Sequence, residues 1–301
     1  MNRKQQLRPL AAAAALLGLL ATSPATWATE GNGLGVYPDG LENFASGALP
    51  PPGVHLLVYG GGANYDRVLG PGGRSVSPPD FSVKVRGVIP RLVWVTQQKV
   101  LGGQLAFEAL APLLDVDVKA GGQHFSKSGL GDVVLGTALG FHHSAELHSA
   151  VGLDVVLPTG SYSTTNPASL GRNIVTFQPL AAVSYMPASG LNADAKLMWD
   201  INRRNGDTDT RSGQALHADY ALGWGLGNGW VAGVGGHVFR QITDDRGPNA
   251  GTGKAAANAI GPSLRYADGK GLLFTVKWQN EFGVRHRPEG QALWAKVTVP
   301  F

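Results

Sequence analysis

The sequence predicts an all-β protein, a transmembrane antiparallel up-and-down β-barrel of about twelve strands. Three observations support this prediction. Apolar and polar residues alternate in about twelve segments, the connections between them are short and long in turn, and no apolar run reaches the length of a membrane-spanning helix. The 43 glycines among 301 residues, the absence of cysteine and a charged fraction of only 15% suit an all-β chain whose apolar and polar residues are interleaved.

Strict alternation is clearest between residues 191 and 200. Leu191, Leu197 and Trp199 fall on one face of the predicted strand, whereas Asp194 and Lys196 fall on the other. This pattern predicts a strand with one apolar and one polar face. The twelve predicted strands are 53–66, 79–96, 100–112, 129–142, 145–157, 173–186, 190–202, 211–226, 229–242, 255–266, 270–282 and 291–301.

The predicted connections differ in length between the two ends of the barrel. Short ones fall near 97–99, 143–144, 187–189, 227–228 and 268–269, and long ones near 67–78, 113–128, 158–172, 203–210, 243–254 and 283–290. Short periplasmic turns opposite longer extracellular loops are typical of bacterial outer-membrane barrels, and an even strand number leaves both termini in the periplasm. We therefore expect the bacterial outer membrane as the location.

Aromatic residues support the same orientation. If the first strand runs outward, Trp224 and Trp230 lie near the periplasmic end, and Trp199 and Trp278 lie nearer the outer end. Two such girdles mark the two membrane interfaces. A soluble β-sandwich is the main structural alternative, because it also buries one apolar face of each strand.

The chain divides into three predicted regions. Residues 1–28 have the basic start, the apolar run and the small residues of a secretory signal. Without its three cations the chain has 22 basic and 21 acidic residues, so a nucleic-acid partner is not expected. Residues 29–52 are rich in Gly and Pro, and residues 53–301 form the barrel. The Gly- and Pro-rich segment either folds into the barrel as a small plug or lies across its periplasmic mouth as a leader.

The start of the mature chain resembles a known family. The pattern EGxGxGxYPxGxExF covers residues 30–44, GxLPPPG covers 47–53, and a strand that ends in PTG covers 153–160. These elements resemble the family named for the meta-pathway of phenol degradation. The resemblance implies an outer-membrane barrel associated with aromatic-compound catabolism, and it assigns no catalytic residues.

Charged and polar residues on the predicted inner face are the candidate site residues. They would line a wet lumen and pair across strands, and a defined solute site among them is the alternative. Lys84 and Arg86 face inward only if Trp94 does too, unless Pro90 marks a bulge. The candidates are Lys84, Arg86, Glu108, Glu146, His148, Asp154, Asp194, Lys196, Asp200, His217, Asp219, Lys277, Glu281 and Lys296.

The function that we predict is passive uptake of small molecules through this lumen, with aromatic compounds suggested by the family resemblance. We expect no enzyme activity, no cofactor and no metal site. The alternatives are a membrane-embedded lipid hydrolase that uses His217 and Asp219, and a structural or adhesive barrel with a closed lumen that acts through loops 113–128 and 158–172. Expected partners are outer-membrane lipid, a small solute and the barrel-assembly machinery, which would recognise the terminal Phe301.

Overall fold

Strands make up nearly all of the regular structure. The computed structural model describes residues 37–248 and 250–300, so the predicted signal 1–28, residues 29–36 and Phe301 lie outside the described residues. A short 3-10 turn spans Pro71–Gly73. The strands of the described chain are β1 (Gly53–Leu69), β2 (Ser82–Val100), β3 (Gly103–Leu110), β4 (Leu113–Ala120), β5 (Gln123–Leu130), β6 (Val133–His142), β7 (Leu147–Leu157), β8 (Thr176–Tyr185), β9 (Ser189–Asn202), β10 (Ala215–Leu226), β11 (Trp230–Gln241), β12 (Ala256–Ala267), β13 (Leu273–Arg285) and β14 (Arg287–Pro300).

These strands form one closed antiparallel sheet, in which β1 pairs with both β2 and β14. β3 and β4 run end to end along β2, because Arg91 pairs with Leu110 and Val88 with Leu113 in one continuous register. β5 and β6 lie end to end beside them, paired with β4 and β3. The wall of the barrel therefore has twelve strands, which confirms the predicted architecture.

Two of the predicted long loops are strands instead. Residues 113–128 lie mostly in β4 and β5, which meet at a turn of Gly121 and Gly122, both at positive φ. Only His286 separates β13 from β14, where 283–290 was expected to be a loop. Residues 283–290 are mostly polar and contain Gly and Pro. This composition predicts a loop, because a strand of this barrel needs one apolar face. Here Arg287 is fully buried because its partners, Asp39 and Glu281, lie inside the barrel.

The two ends of the barrel differ as expected. At the end where β1 begins, the connections are 101–102, 143–146, 186–188, 227–229 and 268–272. At the other end, segments 70–81, 158–175, 203–214 and 242–255 join the strands. We refer to these ends as periplasmic and extracellular. Segment 158–175 folds back toward the barrel, since Ala168 and Leu170 are buried in a cluster with Val83, Val116 and Val118.

The barrel is apolar outside and polar inside. On β9, Leu191 and Leu197 are about half exposed, whereas Asp194 and Lys196 on the opposite face are buried. A soluble fold would reverse this, because exposed apolar area on every strand is unfavourable in water. The exposed residues include Trp199 near the extracellular end and Trp224 near the periplasmic end. Among the described residues no helix is long and apolar enough to cross a membrane.

Candidate functional site

The N-terminal segment lies inside the barrel. Residues 37–50, called the insert from here on, precede β1 and carry three buried apolar side chains, Tyr37, Leu41 and Phe44. Tyr37 and Leu41 pack in the main internal cluster, and Phe44 packs against Ala221 and Val231. The insert therefore supplies part of the internal core, although none of its residues lies in a strand of the wall.

Two carboxylates of the barrel wall bind the main chain of the insert. Asp219 accepts hydrogen bonds from the backbone N–H groups of Gly40 and Glu42, each at 2.8 Å. Asp194 accepts from the backbone N–H of Ser46 at 2.9 Å and also from its hydroxyl. These hydrogen bonds hold the insert at two levels of the barrel.

Wall donors bind the carbonyl groups of the same segment. Lys277 Nζ donates to the carbonyl oxygen of Glu42 at 2.6 Å, and Lys296 Nζ donates to that of Phe44 at 3.3 Å. Gln279 Nε2 donates to the carbonyl oxygen of Asp39 at 3.0 Å. The wall thus supplies the donors and acceptors that sheet pairing would otherwise provide for the insert backbone.

Glu42 is the main charged contact of the insert. Its side chain accepts from Arg91 Nη1 at 2.7 Å, Lys296 Nζ at 3.0 Å and the Tyr59 hydroxyl at 3.0 Å. Burial alone would raise the pKa of the Glu42 carboxyl, but the charges of Lys296, Arg91 and Lys196 outweigh it and hold the pKa well below its ordinary value. Glu42 therefore stays ionised and links β1, β2 and β14 across the interior.

Asp39 forms a second charged contact, farther from the periplasmic end. Arg287 Nη1 donates to Asp39 at 2.9 Å, and Arg287 Nη2 donates to Glu281 at 3.1 Å. Although burial raises the pKa of Asp39, the Arg287 guanidinium and nearby histidines lower it below its ordinary value. His217 Nδ1 lies 3.6 Å from the same carboxylate. The carboxylate of Asp39 is thereby paired with the fully buried guanidinium of Arg287.

The order of these contacts shows how the insert enters. Asp39 meets Arg287, the first residue of β14 at the extracellular end. Gly47 donates its backbone N–H to Ser184 Oγ at 2.8 Å, one residue before the periplasmic end of β8. The chain then leaves toward Gly53, where β1 begins. The insert therefore reaches up from the periplasmic end to beyond the middle of the wall.

Most of the predicted site residues lie in the interior around this insert. Glu108 bonds Arg91, Lys196 lies 3.9 Å from Glu42, and Asp154 is buried. His148 lies at the periplasmic end of β7, with its Nδ1 2.7 Å from that of His142. The predicted residues that lie within the barrel wall's inner face are Glu108, Asp154, Asp194, Lys196, Asp200, His217, Asp219, Lys277, Glu281 and Lys296.

Three predicted lumen positions are wrong. Lys84 and Arg86 are exposed on the outer face of β2, the same face as Trp94, because Pro90 causes no shift in the pairing of β1 with β2. They pair across strands with Asp117 and Asp115 of β4. Glu146 is exposed in the β6–β7 turn rather than inside the barrel.

The pair proposed for a hydrolase does not form a dyad. His217 has its closest carboxylate in Asp200, at 3.2 Å from Nε2, and not in Asp219. Asp219 instead accepts the two backbone N–H groups of the insert. Within the described residues no group of three or more His, Asp or Glu side chains could hold a metal ion.

Sequence reasoning missed the charged residues that join the insert to the wall. These are Asp39, Glu42, Arg91 and Arg287. Asp39 and Glu42 belong to the Gly- and Pro-rich segment, and Glu42 is the Glu of the family pattern. The place of Glu42 in that pattern is the available signal. Arg287 carried no signal, because the polar stretch around it has the composition of a loop.

Three features define an outer-membrane β-barrel. They are the apolar outer face around a polar interior, the two aromatic girdles and the closed wall of twelve strands. The chain belongs to the family described as "Putative MetA-pathway of phenol degradation", whose model matches residues 65–297. No curated protein sequence matches it significantly.

The comparison with solved structures found similarity to outer-membrane proteins, and the first of those below shares the fold. The COG4313 outer membrane channel from Pseudomonas putida F1 is 18% identical, with a TM-score of 0.75 over 86% of this chain and 99% of that chain. The NanC porin is 12% identical, with a TM-score of 0.43 over 82% of this chain and 98% of that chain. The CymD monoaromatic hydrocarbon channel is 10% identical, with a TM-score of 0.43 over 89% of this chain and 95% of that chain.

Proposed function

We propose that this protein is a passive outer-membrane channel in which the insert controls permeation. The observation that supports this most is how the insert is held. It is bound by side chains of the wall, such as Asp219, Asp194 and Lys296, and not by strand pairing. Displacing the insert breaks these contacts but leaves the hydrogen bonds of the twelve-stranded wall intact. Solutes then cross down their gradient, and the chain acts as a conduit and not as an enzyme.

We further propose that the solutes are small aromatic compounds. The family description refers to phenol degradation. The interior also contains an apolar cluster that includes Ile89, Leu110, Val134, Met198 and Trp294. A lumen lined only by charges would exclude aromatic rings, whereas apolar and aromatic walls with a few polar groups suit them. This surface inside an otherwise polar barrel supports an aromatic cargo.

Deletion of residues 29–48 tests the role of the insert. We expect the deletion variant to show larger and more persistent single-channel conductance in planar bilayers than the full mature chain. Heat-modifiable migration on gels should be retained, which shows that the barrel still folds. Equal conductance of the two proteins, both folded, would refute control by the insert.

Uptake into proteoliposomes tests the substrate class. Phenol-sized aromatics should enter faster than sugars of similar size through the deletion variant, because the apolar cluster favours rings. Equal rates for both solutes would exclude an aromatic preference while leaving the channel itself supported. Met198→Lys places a charge at a fully buried position of that cluster and should reduce aromatic uptake selectively.

A further inference from the structure

A pocket at the extracellular rim is separate from the barrel interior. It lies where loops 203–214 and 242–255 meet, it is open to solvent on one side, and its volume is about 70 Å³. We call it the rim pocket. Its lining residues are Arg211, Ser212, Gln214, Thr243, Asp244 and Arg246.

The two loops hold the rim pocket in a fixed shape. The backbones of Arg211 and Arg246 exchange two hydrogen bonds, of 2.7 and 2.9 Å. Thr243 Oγ1 accepts from the backbone N–H of Gln214 at 2.8 Å. Asp245, which is buried, accepts from the backbone N–H of Gly213 at 2.7 Å. The pocket is therefore built from backbone-anchored residues and not from free loop ends.

The donors at the rim pocket are only partly used within the described residues. The hydroxyl of Ser212 is buried and has no hydrogen-bond partner among the described residues. Arg211 uses Nε to donate to the carbonyl oxygen of Asn202, and neither Arg211 nor Arg246 has a carboxylate within ion-pair distance in the described part of the chain. Two guanidinium groups beside a buried hydroxyl form the donor set that phosphate oxygens accept from.

The charges near the rim pocket favour an anion. The charged residues that line the pocket are Arg211, Arg246 and Asp244, and Lys254 and Asp245 lie beside them in loop 242–255. Asp244 is exposed and lies 3.9 Å from Lys254 Nζ, so its charge is partly balanced. Asp245 is engaged with Gly213 and Gln241. The two arginines thus face the pocket with a net positive local charge.

The rim pocket lies at the level of the extracellular membrane–water interface. Trp199, a residue of the extracellular girdle, donates its indole N–H to Gln214 Oε1 at 3.1 Å, and Gln214 lines the pocket. Leu216 and Ile242, which are more than a third exposed, continue the outer apolar surface directly below it. Girdle indoles lie at the level of lipid headgroups. The pocket is therefore at the depth where headgroup phosphates of the outer leaflet lie.

We propose that the rim pocket binds a phosphate group of an outer-leaflet lipid. Arg211 and Arg246 would donate to the phosphate oxygens, and the Ser212 hydroxyl would complete the site. The lipid's acyl chains would lie along the exposed surface near Leu216 and Ile242. This site does not depend on conduction through the barrel.

Native mass spectrometry of the detergent-solubilised mature chain tests the proposal with three probes: bisphosphorylated lipid A, the same lipid without phosphates, and inorganic phosphate. We expect lipid A to bind, and the double variant R211Q/R246Q to bind it at least about tenfold more weakly, since each lost contact is a charge-assisted hydrogen bond. Arg204→Gln is the matched control, because Arg204 is an exposed loop arginine paired with Asp209 and lies outside the rim pocket.

Several results would overturn the site. One is that the double variant binds lipid A as tightly as the wild type does. Another is that the wild type binds the lipid without phosphates as tightly as it binds lipid A. Binding of inorganic phosphate alone, without lipid A, would overturn the lipid assignment. Arg246→Gln serves as a second variant if the double variant does not fold, because Arg246 is exposed and its structural hydrogen bonds use its backbone. It should weaken lipid A binding and keep heat-modifiable migration.

Discussion

Substitution of Glu42 by Gln should release the insert from the barrel. The carboxylate is 3% exposed and lies against Arg91, Lys296 and Tyr59. Gln keeps the size of the side chain but removes its charge, so the buried Lys296 loses its carboxylate partner and Arg91 keeps only Glu108. Breaking a buried ion pair by removing one partner costs about 3–5 kcal/mol, whereas an exposed pair is worth at most about 1 kcal/mol. Because Glu42 and Lys296 are almost fully buried, the larger figure applies.

This cost acts on the equilibrium between inserted and released states. A loss of 3–5 kcal/mol corresponds to a shift of roughly 100- to 4,000-fold, since about 1.4 kcal/mol is a factor of ten. The wall keeps its own hydrogen bonds, so the barrel should stay folded. We therefore expect E42Q to have higher open probability in planar bilayers and unchanged heat-modifiable migration.

Chymotrypsin gives an independent measure of release, because it cleaves after aromatic residues and Phe44 is fully buried in the inserted state. E42Q should be cut at Phe44 much faster than the wild type. Glu146→Gln is the matched control, since Glu146 is exposed in a periplasmic turn and should leave both readouts unchanged. If E42Q showed wild-type conductance and wild-type protection of Phe44, the charged contact would not hold the insert.

Three further outcomes follow from the same contacts. Asp219→Asn should destabilise the inserted state by about 1–3 kcal/mol, which is less than E42Q, because an amide keeps one acceptor oxygen for the two insert N–H groups. Chymotrypsin protection of Phe44 would rank the two variants, and equal or greater release by D219N would contradict this ranking. Gly236→Ala should prevent or weaken barrel folding, since an added Cβ would lie 1.8 Å from the carbonyl oxygen of Ala259, whereas Gly206→Ala meets open space and should fold normally in a heat-modifiability assay. The pKa of Glu42 is lower in the inserted state than its ordinary value of 4.5, so its stabilisation is complete above that pH and is lost only as the pH falls through the lower value. The Glu42 contact should therefore be as strong at pH 5 as at pH 7, and E42Q should raise the open probability by the same factor at both pH values; an effect of E42Q that disappears by pH 5 would contradict this.

The predictions that succeeded depend on local alternation. Residues 191–200 form β9 with Leu197 outside and Lys196 inside, as the period of two requires. Strand periodicity fixes which side chains share a face, because neighbouring side chains point to opposite sides of a sheet. It therefore also predicts the polar interior and the positions of Trp199 and Trp224.

The predictions that failed depend on partners distant in the chain. Residues 287–290 have a loop-like composition, yet Arg287 begins a strand because Asp39, 248 positions away, is its partner inside the barrel. Lys84 and Arg86 lie outside because β2 pairs with β1 in an unbroken register past Pro90. Neither fact can be read from the neighbouring residues.

Residue order within each strand is enough to predict the class of the molecule, an exported β-barrel with an apolar outer face and a polar inner one. Tertiary structure alone decided what fills the interior. Asp219, Asp194 and Lys296 bind the backbone of residues 37–50, and backbone groups are the same in every sequence. Recognition of a main chain leaves no motif in the segment that is recognised, so the sequence predicts the plug only as one of two alternatives, and the folded barrel was needed to choose between them.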